Sequence, residues 1–208
     1  MLPAMLLFLI RHAMTPVTGV KLAGWSPVPL SAEGVRQAGA MAQRFASIPL
    51  DAIYSSPVER AVQTAKPLAA VKKMRLRIRP GLGEVRYGDW EGRPLKQLAK
   101  TQHWRDVIAH PSEGRFPGGE ALRETSARVV AATAEVAAAH PNGAAAIVSH
   151  ADGIKMILAH YAGIHLDLYA RLAIGPASVS AVWVGNGAPR ILKINDSGSL
   201  DELAPRKR

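Results

Sequence analysis

The chain has 208 residues, nearly half of them apolar, which fits one folded domain spanning 1–208 and argues against a disordered chain. It contains no cysteine, so disulfides, zinc–thiolate sites and cysteine nucleophiles are excluded, a composition that suits a reducing cytoplasm. The formal net charge of +10 attracts anions, but the lysines and arginines are dispersed and aromatics make up only 5% of the chain, which argues against nucleic acid and is compatible with a small phosphorylated ligand.

The apolar run Leu2 to Ile10 is too short to span a bilayer, and it lacks the basic start and small-residue cleavage site of a signal peptide. Leu6 to Ile10 therefore reads as a buried strand, and nothing else in the chain calls for a membrane. Ser31 to Ile48 reads as a helix with Val35, Ala38, Ala42 and Phe45 on its inner face. Asp51 to Ser55 is a short strand. Ser56-Pro57-Val58-Glu59 then predicts a helix start, with Ser56 as cap, Pro57 in the first position and Glu59 closing a capping box, and the helix running to Pro67 or slightly past it. Leu76 to Ile78 is a strand, and Pro80 to Pro94 a glycine-rich functional loop. A helix over Leu95 to Trp104, a loop over Pro111 to Gly119 and a long helix from Glu120 to Ala139 follow. Ala144 to Ser149 is a strand and Ala151 to Tyr161 a helix. Val179 to Val184 and Arg190 to Ile194 are strands joined by an Asn186-Gly187 turn. Residues from about 196 read as a flexible tail. This alternation predicts an α/β domain with a mainly parallel central sheet.

Arg11-His12 follows the first strand, Arg60 lies in the helix after the second, and His150 follows the Ala144 to Ser149 strand. In open parallel sheets, ligands bind outside the carboxyl ends of the strands, so two arginines and two histidines gather at one edge. Arginine presents a rigid fork of donors matched to phosphate oxygens. A neutral imidazole can attack phosphorus, and a carboxylic acid is needed to protonate the leaving oxygen and then activate water. Glu84 is the candidate acid. Protonated Glu84 and neutral histidine are opposing demands, which predict a bell-shaped pH profile.

Leu9-Ile10-Arg11-His12-Ala13-Met14-Thr15 resembles the signature of the histidine phosphatase superfamily, the phosphoglycerate-mutase-like proteins. Further blocks resemble the same family in order: Leu22-Ala23-Gly24-Trp25-Ser26-Pro27, Tyr54-Ser55-Ser56-Pro57 with Arg60-Ala61, Glu84 with Gly88-Asp89-Trp90-Glu91-Gly92, Pro117-Gly118-Gly119-Glu120, and Val148-Ser149-His150-Ala151. The resemblance implies a three-layer α/β/α sandwich, with His12 as a phosphorylated nucleophile, Glu84 as general acid and base, and Arg11, Arg60 and His150 completing a phosphate pocket. It extends substrate contact to Thr18, Gly24, Trp25 and Ala151. It implies no metal or organic cofactor, and the sequence has neither a His-Glu-x-x-His spacing nor a Walker loop.

Ala13 stands where the family usually has glycine, Met14 where it often has glutamate, and Thr18 where asparagine is frequent. These departures bear on substrate identity more than on the reaction. Three readings follow: a phosphatase of a small phosphorylated metabolite, a phosphomutase of the phosphoglycerate mutase type, and a non-catalytic phospholigand binder. A homo-oligomer is compatible with all three.

Overall fold

The computed structural model describes residues 5–185 and 187–198. Six strands form one sheet among them: β1 (Met5–Arg11), β2 (Ala52–Ser55), β3 (Leu76–Ile78), β4 (Ala144–Ser149), β5 (Val179–Val184) and β6 (Arg190–Asp196), in the order β3-β2-β4-β1-β5-β6. The β1–β4, β2–β4 and β2–β3 pairs are parallel, while β5 and β6 extend the sheet antiparallel. The parallel part matches the expectation, and the antiparallel edge makes the sheet mixed.

Alternate side chains of β1 enter different cores, as a two-faced strand requires. Leu7 and Leu9 join a core built with α5 (Leu122–Ala139) and α6 (Ala151–Ala162). Phe8 and Ile10 join a core built with α1 (Ala32–Gln43) and α2 (Glu59–Lys72), where Phe45 meets Phe8 edge-on at 5.1 Å. The result is helices on both faces of the sheet.

Several boundaries differ from the sequence expectation, each for a local reason. Ser31 caps α1 by accepting from the Gly34 amide. The buried face carries Gly34, Ala38, Met41 and Ala42, and Val35 is 61% exposed. Gly34 sets that rotation: a Cβ there would lie 1.9 Å from the Met14 carbonyl oxygen, so the helix packs its glycine against the strand exit.

The capping box at Ser56 does not form. The Ser56 amide instead donates to Val148 O and prolongs the sheet ladder, so α2 begins only at Glu59, after Pro57. The Glu59 carboxylate accepts from Gln63 rather than reaching back. The helix continues past Pro67 to Lys72. Leu95 to Trp104 is broken into α3 (Leu95–Leu98) and α4 (Gln102–Ala109), because the Thr101 hydroxyl donates to Leu98 O while capping Trp104 N. β6 reaches Asp196, whose carboxylate is held by Arg44 and Lys193. Asn186 of the expected turn and the remaining tail from 199 lie outside the described residues.

Candidate active site

The parallel register brings the chemistry together. Arg11 is level with Ser149 across β1 and β4, and Ser55 is level with Val148 across β2 and β4. One residue further on, the His12 amide donates to Ser149 O, in step with the Ser56-to-Val148 bond. His12, Ser56 and His150 are thus set side by side by backbone hydrogen bonds. β4 lies between β1 and β2, and the helix that follows it, α6, packs on one face while α1 and α2, which follow β1 and β2, pack on the other, so the crevice opens where such sheets bind ligands. A cavity of about 430 Å³ lies there, bounded by Arg11, His12, Thr18, Arg60, Glu84 and Ala151 among others.

His12 is oriented by a bond to the next residue. Its Nδ1 lies 2.8 Å from Ala13 O, and a carbonyl can only accept, so Nδ1 carries the proton and Nε2 keeps its lone pair. Arg60 Nε donates to that Nε2 at 3.2 Å. Burial, with Arg60 and then Arg11 nearby, pushes the His12 pKa down to about 3, so the ring is neutral at physiological pH.

Arg60 is almost fully buried. Its Nη2 donates to Gly24 O at 2.8 Å and to His150 Nδ1 at 3.2 Å, and its Nη1 has no partner among the described residues. Arg11 Nη1 donates to Ile174 O at 2.6 Å, and its buried Nε is likewise unpartnered. Buried N–H groups without acceptors are costly, and an oxyanion between them would supply what is missing. Gly24 is required for this arrangement: its φ is +51°, and a Cβ would lie 2.4 Å from the Glu91 carboxyl carbon.

His150 Nε2 lies 2.7 Å from Ser56 Oγ. Burial, then Arg60, holds its pKa well below the ordinary range, so it too is neutral. Serine can donate or accept, so it can satisfy either His150 tautomer as Nδ1 turns from Arg60 toward a phosphoryl oxygen.

Glu84 Oε2 sits 3.8 Å from Arg60 Nη2 and 3.7 Å from His150 Nδ1. Burial, reinforced by the nearby Asp152 carboxylate, outweighs the arginines and pushes the Glu84 pKa up to about 7. The loop is held rigidly. Trp25 Nε1 donates to Glu84 O at 2.7 Å, and Arg128 of α5 donates to the carbonyls of Gly81, Gly83 and Glu84 while pairing with Glu120 at 2.8 Å.

Of the sequence-predicted residues, Arg11, His12, Thr18, Arg60, Glu84 and Ala151 line one cavity, while His150 is fully buried beside it and meets the cluster through Arg60. Gly24 and Trp25 are placed differently, outside the cavity lining: the Gly24 carbonyl accepts from Arg60, and Trp25 braces Glu84 from behind. Of the departures, the Ala13 methyl is buried in the core between the sheet and α1 and α2, and Thr18 lines the cavity while its hydroxyl accepts from Thr15 N. Met14 is bound through its backbone to Gln37 and Ser31 and is not part of the lining. Sequence reasoning missed Ser56 as a partner of His150, because its spacing is also that of a helix cap. It missed Arg128 and Tyr87, which carry no local motif.

Two outcomes follow from these ionisations. The log of kcat/KM, corrected for ionisation of the ester itself, should fall above pH about 7 as Glu84 loses its proton, while the acid limb due to His12 should sit near pH 3 rather than at the ordinary 6.5. The bell thus becomes a broad plateau with a neutral-pH shoulder, and initial rates across pH check it. Glu84→Gln should also stabilise the fold. The glutamate pKa is raised from 4.5 unfolded to about 7 folded, so the native state holds the extra proton between those values and loses stability as pH rises through them. The gain in Tm of the variant should be absent at acid pH, grow through that window and stay constant above it. A pH-independent gain would mean that packing, not charge, is responsible.

Comparison with known proteins agrees with the geometry. A family model described as the histidine phosphatase superfamily (branch 1) matches residues 7–197. The chain is 29% identical to phosphoserine phosphatase 1 of Hydrogenobacter thermophilus over 95% of both chains. It is 31% identical to a probable phosphoglycerate mutase of Yersinia enterocolitica over 86% of this chain and 88% of that one. Among solved structures, a mycobacterial glucosyl-3-phosphoglycerate phosphatase superposes with a TM-score of 0.84 at 25% identity, covering 92% of this chain and 99% of that one.

Proposed function

Since the chain belongs to the histidine phosphatase superfamily, we propose that its reaction is hydrolysis of a small phosphomonoester through a phosphohistidine on His12. The chain is a phosphatase by its family and relatives; the intermediate and the residue roles are our reading. The observation that carries them is the pairing of a neutral His12, its Nε2 free of a proton, with a buried carboxyl of pKa about 7 in the same cavity.

In this reading Arg11, Arg60 and His150 hold the phosphoryl oxygens. His12 Nε2 attacks phosphorus as the ester P–O bond breaks, and Glu84 gives its proton to the departing alkoxide. Binding of a dianion raises the Glu84 pKa further, so the acid is protonated when it is needed. In the second step, the Glu84 carboxylate takes a proton from water, the resulting hydroxide attacks phosphorus, the N–P bond breaks and inorganic phosphate leaves. His12 is then restored. The guanidinium groups supply the charge compensation that other phosphoryl-transfer enzymes assign to magnesium.

Relatives named for phosphoserine, glucosyl-3-phosphoglycerate and phosphoglycerate place the substrate among small phosphorylated metabolites. A mutase must keep its phosphoenzyme from water and return the phosphoryl group to a bound metabolite, so the fate of that group separates the two readings. The test is phosphate release from p-nitrophenyl phosphate and a panel of phosphometabolites in the presence of EDTA. Release of phosphate is expected. Isomerisation of 3-phosphoglycerate primed with 2,3-bisphosphoglycerate, without phosphate release, would overturn the hydrolytic reading. An absolute need for a divalent ion would overturn the proposed charge compensation.

A further inference from the structure

The cavity carries more positive charge than one phosphoryl group needs. Arg11, Lys21, Arg60, Lys155 and Arg171 all reach its wall, against the carboxyls of Glu84 and Asp152. Most of these charges are already engaged. Arg11 and Arg60 keep their unpartnered N–H groups for the phosphoryl oxygens. Asp152 is held by Lys155 at 3.3 Å and by the Tyr87 hydroxyl at 3.1 Å, so that cluster balances itself. In the proposed mechanism Glu84 meets the substrate in its protonated, uncharged form.

Lys21 and Arg171 are left over. Both are exposed, and neither side chain has a hydrogen-bond or ion-pair partner among the described residues. They come from separate segments: Lys21 from the loop after β1, where its backbone bridges to Pro94, and Arg171 from the end of the 3-10 turn Leu166–Arg171. That second segment is tied to the phosphate end of the cavity, because Arg11 donates to Ile174 O three residues beyond Arg171. The wall near them includes Leu22, Leu172 and Ile174, which offer no side-chain acceptor. A cavity of about 430 Å³ has room for a small organic group beside the phosphoryl group.

We propose that Lys21 and Arg171 form a second anion subsite, and that the substrate is a small phosphomonoester bearing another anionic group, a carboxylate or a second phosphate. The proposal rests on the phosphatase reading of the same cavity. It assigns substrate choice to two side chains that take no part in phosphoryl transfer. A charge-assisted contact at a partly solvated mouth should be worth roughly tenfold in affinity.

The test compares esters that differ only in the second anion: 3-phosphoglycerate with glycerol 3-phosphate, and fructose 1,6-bisphosphate with fructose 6-phosphate. Affinities are measured by calorimetry in a His12→Ala background, so that bound ester is not consumed. A preference of roughly tenfold or more for the more anionic member of either pair is expected, and the pair that shows it tells carboxylate from phosphate. Adding Lys21→Met and Arg171→Met together should collapse that ratio toward one, and each change alone should remove part of it. Equal affinities within both pairs, or a preference that survives the double change, would overturn the subsite. Turnover of p-nitrophenyl phosphate by the unmodified enzyme is scored separately. A charge preference without turnover would sink the phosphatase reading and leave the subsite standing.

Discussion

His12→Ala should lower kcat on p-nitrophenyl phosphate by about 10³-fold or more, as removal of other covalent nucleophiles does. Among the described residues lining the cavity, the imidazole is the one group with an unprotonated nitrogen whose second nitrogen is fixed by a backbone carbonyl. His150 is no substitute, since it is fully buried, lies outside the cavity lining and has its Nε2 engaged by Ser56. Phosphate-ester binding should survive, because Arg11 and Arg60 remain. Steady-state kinetics with calorimetry on the variant separates the two effects. Retention of more than about a tenth of the activity would be incompatible with a covalent role.

Arg60→Met should cost about 10²- to 10³-fold in kcat/KM, in line with loss of a principal donor to a developing oxyanion. Its effect on folding should be small. The arginine is 1% exposed and its pKa is lowered chiefly by burial, which records how costly the desolvated charge is. Replacing such a charge with an apolar chain of similar length removes that cost, and offsets the lost bonds to Gly24 O and His150. Thermal unfolding beside kinetics makes the distinction: a large activity loss with Tm nearly unchanged marks Arg60 as a functional residue. A parallel collapse of Tm would mean that it serves chiefly to hold the fold.

Much of this site is legible in the sequence because parallel strands aim their ends at one edge. Once Arg11-His12, Ser55-Ser56 and Ser149-His150 are read as strand exits, their convergence follows from register alone. The glycine loop carrying Glu84 is legible as a loop, but its closeness to Arg60 depends on Arg128, which reaches from a helix more than forty residues away in sequence. No local pattern encodes that clamp. The same limit explains Ser56. A serine ahead of a proline and a glutamate has the spacing of a cap, and only its pairing with β4 shows that the hydroxyl faces His150 instead. Val35 fails for a related reason: helical periodicity fixes which residues share a face, but the contact of Gly34 with Met14 decides which face turns inward.

The central claim is that phosphate passes through His12. Its most direct test is to mix the enzyme with excess phosphomonoester, quench it in alkali within milliseconds, where a phosphohistidine survives, and map the modified peptide by mass spectrometry. A phosphoryl group on His12, formed during turnover and absent from the His12→Ala protein, is the expected result. Steady turnover with no phosphorylated histidine at any quench time, or with the label on another residue, would contradict the mechanism.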